Sequence, residues 1–385
     1  MPEATVPSAT ATLLRLVRSG EATSRSQVAR ALGISPSTAA ARIDALVARG
    51  VLRDAGAGVS RAGRRPQRIE LAPQPGCVGV AELGARHALL AVVDMAGTLS
   101  EDQHHVLEIA DGPEQALAWI VGRLRELARG QPLRGIALAV PGPVDFGSGR
   151  LVSPSRMPGW NGVDVAGLLT RLSGVPSLVD NDANLMALGE YGTVAETVRH
   201  LVLVKAGSGI GSGIIAAGQL YRGAHGMAGD ISHVTVPDAE EVLCSCGRYG
   251  CLDAVASGAA IIAGLRSAGI EVADTTELLQ LAQDAHPLAT RMLREAGIRT
   301  GNVLATIVNF FNPDALVLGG SLSRSEAFVA GVKSAIYTMC LPMATDQLDI
   351  AVSAAGRLGG VHGAARLILD HLFEQELIPA AENAV

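Results

Sequence analysis

The chain has 385 residues, 48% of them hydrophobic, and a formal net charge of −6. That length exceeds one ordinary domain and predicts two or three compact units. No apolar run is long enough to cross a bilayer, and the first residues lack a charged-then-apolar leader, so no membrane partner and a cytoplasmic location are expected. The charge is uneven: residues 1–72 hold eleven arginines, no lysine and five acidic residues, which leaves the other 313 residues at −12. A basic segment on an acidic body suits a polyanion-binding module carried by a body that stays off the polyanion. Five cysteines, three of them crowded between Cys244 and Cys251, point in a reducing compartment to metal rather than to a disulfide framework.

Three short helices are predicted before residue 50. Leu13, Leu16 and Val17 form an apolar stripe that Gly20 ends. Ser24 with Gln27 three residues on is a capping box, and that helix stops at Gly33. Ser35 and Pro36 open the third, whose inner stripe is Ile43, Leu46 and Val47. Ala29 followed by Gly33 and Ile34 resembles the turn of a helix-turn-helix. The third helix would then enter the major groove of double-stranded DNA with Ser37, Thr38, Ala41 and Arg42 facing the bases. Val51–Arg53 and Gln67–Leu71 read as a hairpin whose tip carries Arg61, Arg64 and Arg65, a wing for phosphates or the minor groove. Residues 1–72 are expected to be this winged helix-turn-helix domain, and residues 73–76 a stiff linker.

From Cys77 onward apolar strands alternate with helices. Strands are predicted at 77–83, 87–93, 134–140, 176–180, 200–206, 210–216 and 315–319. Helices are predicted at about 113–129, 182–190, 255–267, 288–310, 325–339 and 361–374. Alternation of this kind implies an α/β body of mostly parallel sheets covered by helices, with room for two lobes and a cleft. Polar or glycine-rich clusters interrupt it at Val140–Asp145, Val179–Asn184, Gly207–Gly213 and Gly226–His233, the last continuing to Cys244–Asp253. Cys244, Cys246 and Cys251 lie within eight residues, and His233 precedes them by eleven. Three sulfurs and an imidazole suit a closed, structural tetrahedral zinc site.

Taken in order, these clusters, together with Asn309–Asp314 and Leu318–Gly320, resemble the ROK family of repressors and sugar kinases over essentially all of residues 77–385. The resemblance implies a two-lobed actin/hexokinase-like (ribonuclease H-like) ATPase fold. The smaller lobe would span about 77–187 plus a C-terminal helix at 366–385, and the larger about 188–365. It also implies a sugar cleft lined by Asn161, Asn181, Asp182, Asp230, His233 and Asp253. Asp182 stands where the family's kinases carry their catalytic base, and His233 would join zinc to a sugar hydroxyl. Asp230 and Asp253 are each one methylene shorter than the family's glutamates.

On the nucleotide side the sequence departs from an enzyme. Where active members carry Asp-x-Gly-Gly-Thr, the chain reads Glu82-Leu83-Gly84-Ala85-Arg86. Gly207, Gly209, Gly211, Gly319 and Gly320 remain of a vestigial nucleotide site, and half a phosphate cradle does not orient a phosphoryl group. ATP with Mg²⁺ is therefore not an expected cofactor. The expectation is a sugar-responsive regulator, a repressor of carbohydrate uptake or catabolism genes. It would act as a homodimer or homotetramer on a palindromic operator, with a sugar or sugar phosphate as effector. The competing reading is an active ATP-dependent sugar kinase that carries a DNA-binding domain.

Overall fold

Local capping chemistry sets the first three helices. The computed structural model describes residues 9–375 except 19, 58–66, 85, 86, 108, 110, 111 and 196. α1 (Ala9–Arg18) buries Leu13, Leu14, Leu16 and Val17. α2 (Arg25–Leu32) begins where Ser24 Oγ accepts from the Gln27 amide while the Gln27 side chain accepts from the Thr23 amide, the two-way cap. It ends at Gly33, whose φ of +63° favours glycine. α3 (Pro36–Ala48) is capped by Ser35, which accepts from the Thr38 amide. β1 (Leu52–Ala57) and β2 (Gln67–Leu71) pair antiparallel, and Ile69 N donates to Thr23 O at 2.8 Å, joining the hairpin to the start of α2. Arg25 bridges Asp44 of α3 and Asp54 of β1 at 2.7 and 2.9 Å. The expected wing tip, with Arg61, Arg64 and Arg65, lies outside the described residues.

The connection at 73–76 is held at both ends. Gln74 Nε2 donates to Gly50 O at 3.0 Å, and Cys77 N donates to Pro132 O. Gly76 has φ +106°, and a Cβ there would lie 2.6 Å from Pro132 O, so both backbone and packing call for glycine.

Two five-stranded sheets follow, built on one plan. In the first, β3 (Cys77–Leu83), β4 (His87–Asp94) and β5 (Leu99–Val106) form an antiparallel meander. α4 (Pro113–Leu127) leads to β6 (Leu133–Val140), parallel to β3. The small hairpin β7 (Val144–Asp145) and β8 (Arg150–Leu151), then α5 (Val165–Ser173), lead to β9 (Ser177–Asn181), which completes the order β5-β4-β3-β6-β9. α6 (Asp182–Glu190) starts directly from β9. The second sheet repeats the arrangement with β10 (Leu201–Ala206), β11 (Ile210–Ala216) and β12 (Gln219–Tyr221) as the meander. Then come α7 (Leu252–Ala256), α8 (Gly258–Ser267), α9 (Thr275–Gln283) and α10 (Pro287–Phe311). β13 (Ala315–Gly319), α11 (Glu326–Met339), α12 (Pro342–Thr345) and β14 (Asp349–Val352) finish the order β12-β11-β10-β13-β14. α13 (Gly359–Gln375) closes the described chain.

One predicted element divides in two, and several observed elements lie outside the predicted set. The helix expected at 255–267 is two helices, because Ser257 takes extended backbone and caps α8 by accepting from Ala260 N. α5 and α9 were not anticipated. β5 was also unread, since its sequence LSEDQHHV has no apolar alternation; it is the sheet edge, where charged side chains discourage pairing with other chains.

α13 packs on β3, β6 and α6. Its crossing with α6 is made through glycine: a Cβ on Gly189 would lie 2.0 Å from Gly359 O, and one on Gly363 would lie 1.7 Å from Leu185 O. The same helix carries the N-terminal head. Arg18 Nη2 of α1 donates to Asp370 Oδ1 at 2.5 Å, and one apolar cluster runs from Leu13 and Val17 to Ile368 and Phe373. Burial pulls the Arg18 guanidinium down from its ordinary range, and Asp370 opposes that pull.

Gly363→Ala should therefore force α6 and α13 apart and cost about 2–3 kcal/mol. Gly122 of α4, exposed with open space around its Cα, is the matched control. Gly122→Ala should leave stability unchanged or raise it by up to about 1 kcal/mol. Urea unfolding midpoints of the two variants check both signs.

Candidate functional site

The cleft is assembled from strand ends and one helix start. Asn181 is the N-cap of α6: its Oδ1 accepts from Ala183 N and Asn184 N, and its Nδ2 donates to Gly142 O at 3.1 Å. The capping role open to Asp182 thus falls to Asn181. Asp182 opens the helix, is buried, and accepts at Oδ2 from Lys205 Nζ at 2.7 Å. The same ammonium donates to Glu82 Oε1 at 2.8 Å. Burial alone would lower the Lys205 pKa, but Asp182 and Glu82 outweigh it and hold the group above the usual lysine range. Lys205 went unnoticed in the sequence, although a lone lysine in an apolar strand is seldom buried unless paired.

Next to this trio the ring of His87 lies over Gly84, where a Cβ would come within 2.1 Å of His87 Cε1. His87 stacks on His104 with ring centroids 5.1 Å apart. Partial burial, then His104 and Lys205, lower its pKa against the opposing pull of Glu82 and Asp182. Ala85 and Arg86 lie outside the described residues. The glycines expected to serve nucleotide also serve packing. A Cβ on Gly213 would lie 2.5 Å from Ala183 O, one on Gly211 3.3 Å from Ala183 Cβ, and one on Gly319 2.4 Å from Met186 Cε. Gly320, φ +80°, sits against Ala206 O, and Gly207 O accepts from Gly258 N at the start of α8.

On the other side, Asp253 is buried, accepting at Oδ1 from Ile210 N at 2.9 Å and at Oδ2 from Arg156. Arg156, another residue the sequence did not single out, also covers Gly209. Asp253 N donates to Ser232 O, which brings this acid beside the turn where Asp230 Oδ1 accepts from Ser232 N. Asp180 joins the two halves: Oδ1 accepts from Asn184 Nδ2, and Oδ2 accepts from Arg222, which stacks 3.8 Å over Phe146. Asn161 is exposed, and its Oδ1 accepts from Ser153 N at 2.8 Å. The polar clusters thus converge, though Asn181 and Asp253 have their acceptor atoms engaged within the protein.

His233, Cys244, Cys246 and Cys251 come together, with all four ligand atoms within 4.8 Å of one another. His233 Nδ1 is 3.6 Å from Cys244 Sγ, and Cys246 Sγ is 3.7 Å from Cys251 Sγ. A disulfide would bring sulfurs to about 2.05 Å. Tetrahedral zinc, with bonds of about 2.3 Å to sulfur and about 2.0 Å to nitrogen, spaces its ligand atoms about 3.5–3.8 Å apart. The donor set fits a closed metal site. Burial opposes ionisation of Cys246, but hydrogen bonds from Arg248 outweigh it and pull the thiol down to about 7. Gly247 and Gly250, at φ +84° and +73°, let the loop curl.

In the head, Ser37, Thr38 and Ala41 are exposed on α3, and Arg42 is half-buried with Nη1 unpaired among the described residues. The Ser37 and Thr38 hydroxyls each lie 2.8 Å from Ser35 Oγ, so the cap orients them.

Residues 12–53 match a winged helix-turn-helix DNA-binding family and residues 77–371 match the ROK family. The xylose repressor of Bacillus spizizenii (strain W23) is 26% identical over 371 residues, covering 94% of this chain and 95% of that protein. A solved ROK family transcriptional regulator, described as a homolog of the E. coli MLC protein, superposes with TM-score 0.78 at 22% identity over 95% of this chain and 96% of its own. A ROK family glucokinase from Streptomyces griseus, solved with glucose and AMPPNP, gives TM-score 0.67 at 23% identity over 76% of this chain and 99% of its own. No helix among the described residues is long and apolar enough to cross a membrane. With the match spanning both sheets, the cleft and the cysteine loop, the chain belongs to the ROK family.

Proposed function

We propose that the protein is a sugar-responsive transcriptional repressor of carbohydrate genes, whose kinase-like cleft binds an effector and turns over no ATP. The observation that carries this reading is that α13 touches both ends of the problem. Gly360 at its start lies against Glu82 in the cleft, and Asp370 near its end holds Arg18 of the DNA-binding head. A sugar that changes the cleft acts on α13, and α13 holds the head. Full-length likeness to a xylose repressor supports the same reading and makes D-xylose and D-glucose the first sugars to try. In this reading Asn161, Asp182, Asp230 and His233 contact hydroxyls, and Asn181 and Asp253, whose acceptor atoms are engaged, shape the site. Likeness to a glucokinase favours the alternative of an active kinase with Asp182 as base; sugar-dependent ADP release at enzymatic rates would establish it. Fluorescence anisotropy on promoter DNA, with a sugar panel, tests the repressor. Asp182→Ala should weaken sugar binding at least tenfold, about 1.4 kcal/mol or more, with sugar-free DNA affinity retained. Arg18→Leu leaves Asp370 near Arg366 and should retain sugar binding but lose sugar-driven DNA release. Normal release by both variants would overturn the reading.

The four-residue cluster is read as a structural zinc site. Zinc would fix the Cys244–Cys251 loop and hold His233 by one ring nitrogen, presenting the other to the sugar. Cys246→Ser should lower zinc content, measured by mass spectrometry, and abolish sugar-induced thermal stabilisation with it. Full sugar stabilisation in a zinc-depleted variant would separate the two.

The DNA reading assigns Ser37, Thr38, Ala41 and Arg42 to the major groove and Arg61, Arg64 and Arg65 to the wing. One head offers few contacts, so a symmetric dimer on a palindromic operator follows, with a tetramer as its doubled form. Its support is an apolar surface on the body: α10 and α11 run parallel, Gly297 against Phe328 and Gly301 against Val332. At their shared end Phe310, Leu341 and Met343 are exposed. Phe310→Glu with Met343→Glu should yield monomers by sedimentation and weaken operator binding. Arg42→Ala should relax base discrimination, whereas Arg64→Ala should weaken all sequences and reduce the salt slope by about one.

A further inference from the structure

Two carboxylates sharing one cation decide what the cleft can hold. Glu82 comes from β3 of the first sheet, Asp182 from the first turn of α6, and Lys205 from β10 of the second sheet. They are brought together across 123 and 23 residues of chain, at 2.8 and 2.7 Å. Leu201, Val202, Leu203, Val204 and Ala206 around the lysine are buried, and its own side chain is 24% exposed. Paired carboxylates converging from fixed backbone positions are what a magnesium or manganese ion requires. Here the point of convergence is held by an ammonium on the chain itself.

The surroundings keep the trio in that form. Gly360 lies so close that a Cβ there would be 2.2 Å from Glu82 Oε2, which limits the directions the glutamate can take. His87, stacked on His104, lies against Gly84 beside the trio. The lysine charge offsets one of the two acids, and a hydrogen bond to each satisfies the buried oxygens facing it.

We infer that Lys205 is the resident cation of the cleft, standing where a divalent metal would otherwise bind. The inference builds on the repressor reading, since it explains how the sugar half works without a metal-nucleotide partner. Removing the lysine should therefore create a metal site.

Manganese binding to the zinc-loaded full chain, followed by electron paramagnetic resonance, tests this. Wild type and Lys205→Arg should leave Mn²⁺ free. Lys205→Ala should take one Mn²⁺ per chain with a Kd at least tenfold lower than wild type, and the added change Glu82→Gln should abolish it. Should Lys205→Ala fail to fold in metal-free buffer, recovery of its circular dichroism by Mn²⁺ but not by matched KCl supports the inference, and failure to recover overturns it. Equal binding by wild type and Lys205→Ala also overturns it, as does no binding by a folded, zinc-replete Lys205→Ala chain. Sugar-driven DNA release by wild type is read separately. Loss of that response would sink the repressor and leave the cation assignment standing, and a metal-binding wild type would do the reverse.

Discussion

The architecture depends on a backbone-to-backbone crossing between α6 and α13. Helices normally sit 8–10 Å apart because side chains separate them. Gly189, Gly359 and Gly363 remove those side chains, and the two helices approach until a single methyl group would overlap a carbonyl oxygen. α6 begins at the cleft acid, while α13 begins against Glu82 and ends under the DNA-binding head. Because the contact has no soft layer, a shift in one helix is passed to the other. Arg366 adds a polar tie, donating to Leu188 O of α6 one turn before Asp370.

Two copies of one strand order explain where the polar residues gather. Each sheet places three antiparallel strands beside two parallel ones, and the ends of β3 and β10 and the start of α6 after β9 come together at Glu82, Lys205 and Asp182. Open α/β sheets present their loops there for ligands. A solved ROK regulator and a solved ROK glucokinase both superpose on this frame. Lys205, His87 and Arg156 pack within it in this chain, and none belongs to a glycine-rich turn.

What could be read from the sequence was what is local. Ser24, Gln27, Ser35 and Pro36 announce helix starts because a cap needs only neighbours along the chain, and α2 and α3 begin where those residues stand. The cysteine loop was legible for the same reason, its four ligands lying within nineteen residues. Lys205 was not, since its partners are distant in sequence and its strand reads as an apolar run with one interruption. Gly211 reads as part of a nucleotide site, yet it packs against Ala183, and its neighbour Gly213 needs to be glycine against the backbone of α6. The fold family was recognisable from the order of the clusters, whereas the edge strand β5, polar throughout its middle, carries no pattern to find.

The pinned connection at Gln74 and Gly76 gives the geometry a scale. A joint held at Gly50 on one side and Pro132 on the other does not let the head swivel independently. Angular change in the body must therefore emerge as displacement of the head. α13 has 17 residues, a rod of about 25 Å. Turning such a rod by about 8° moves its far end by about 3.5 Å, close to the rise of one base pair. A repressor built this way needs no large rearrangement to lose its register on DNA: in a pair of such heads, opposite tilts add, and the two recognition helices fall out of phase with successive turns of the groove.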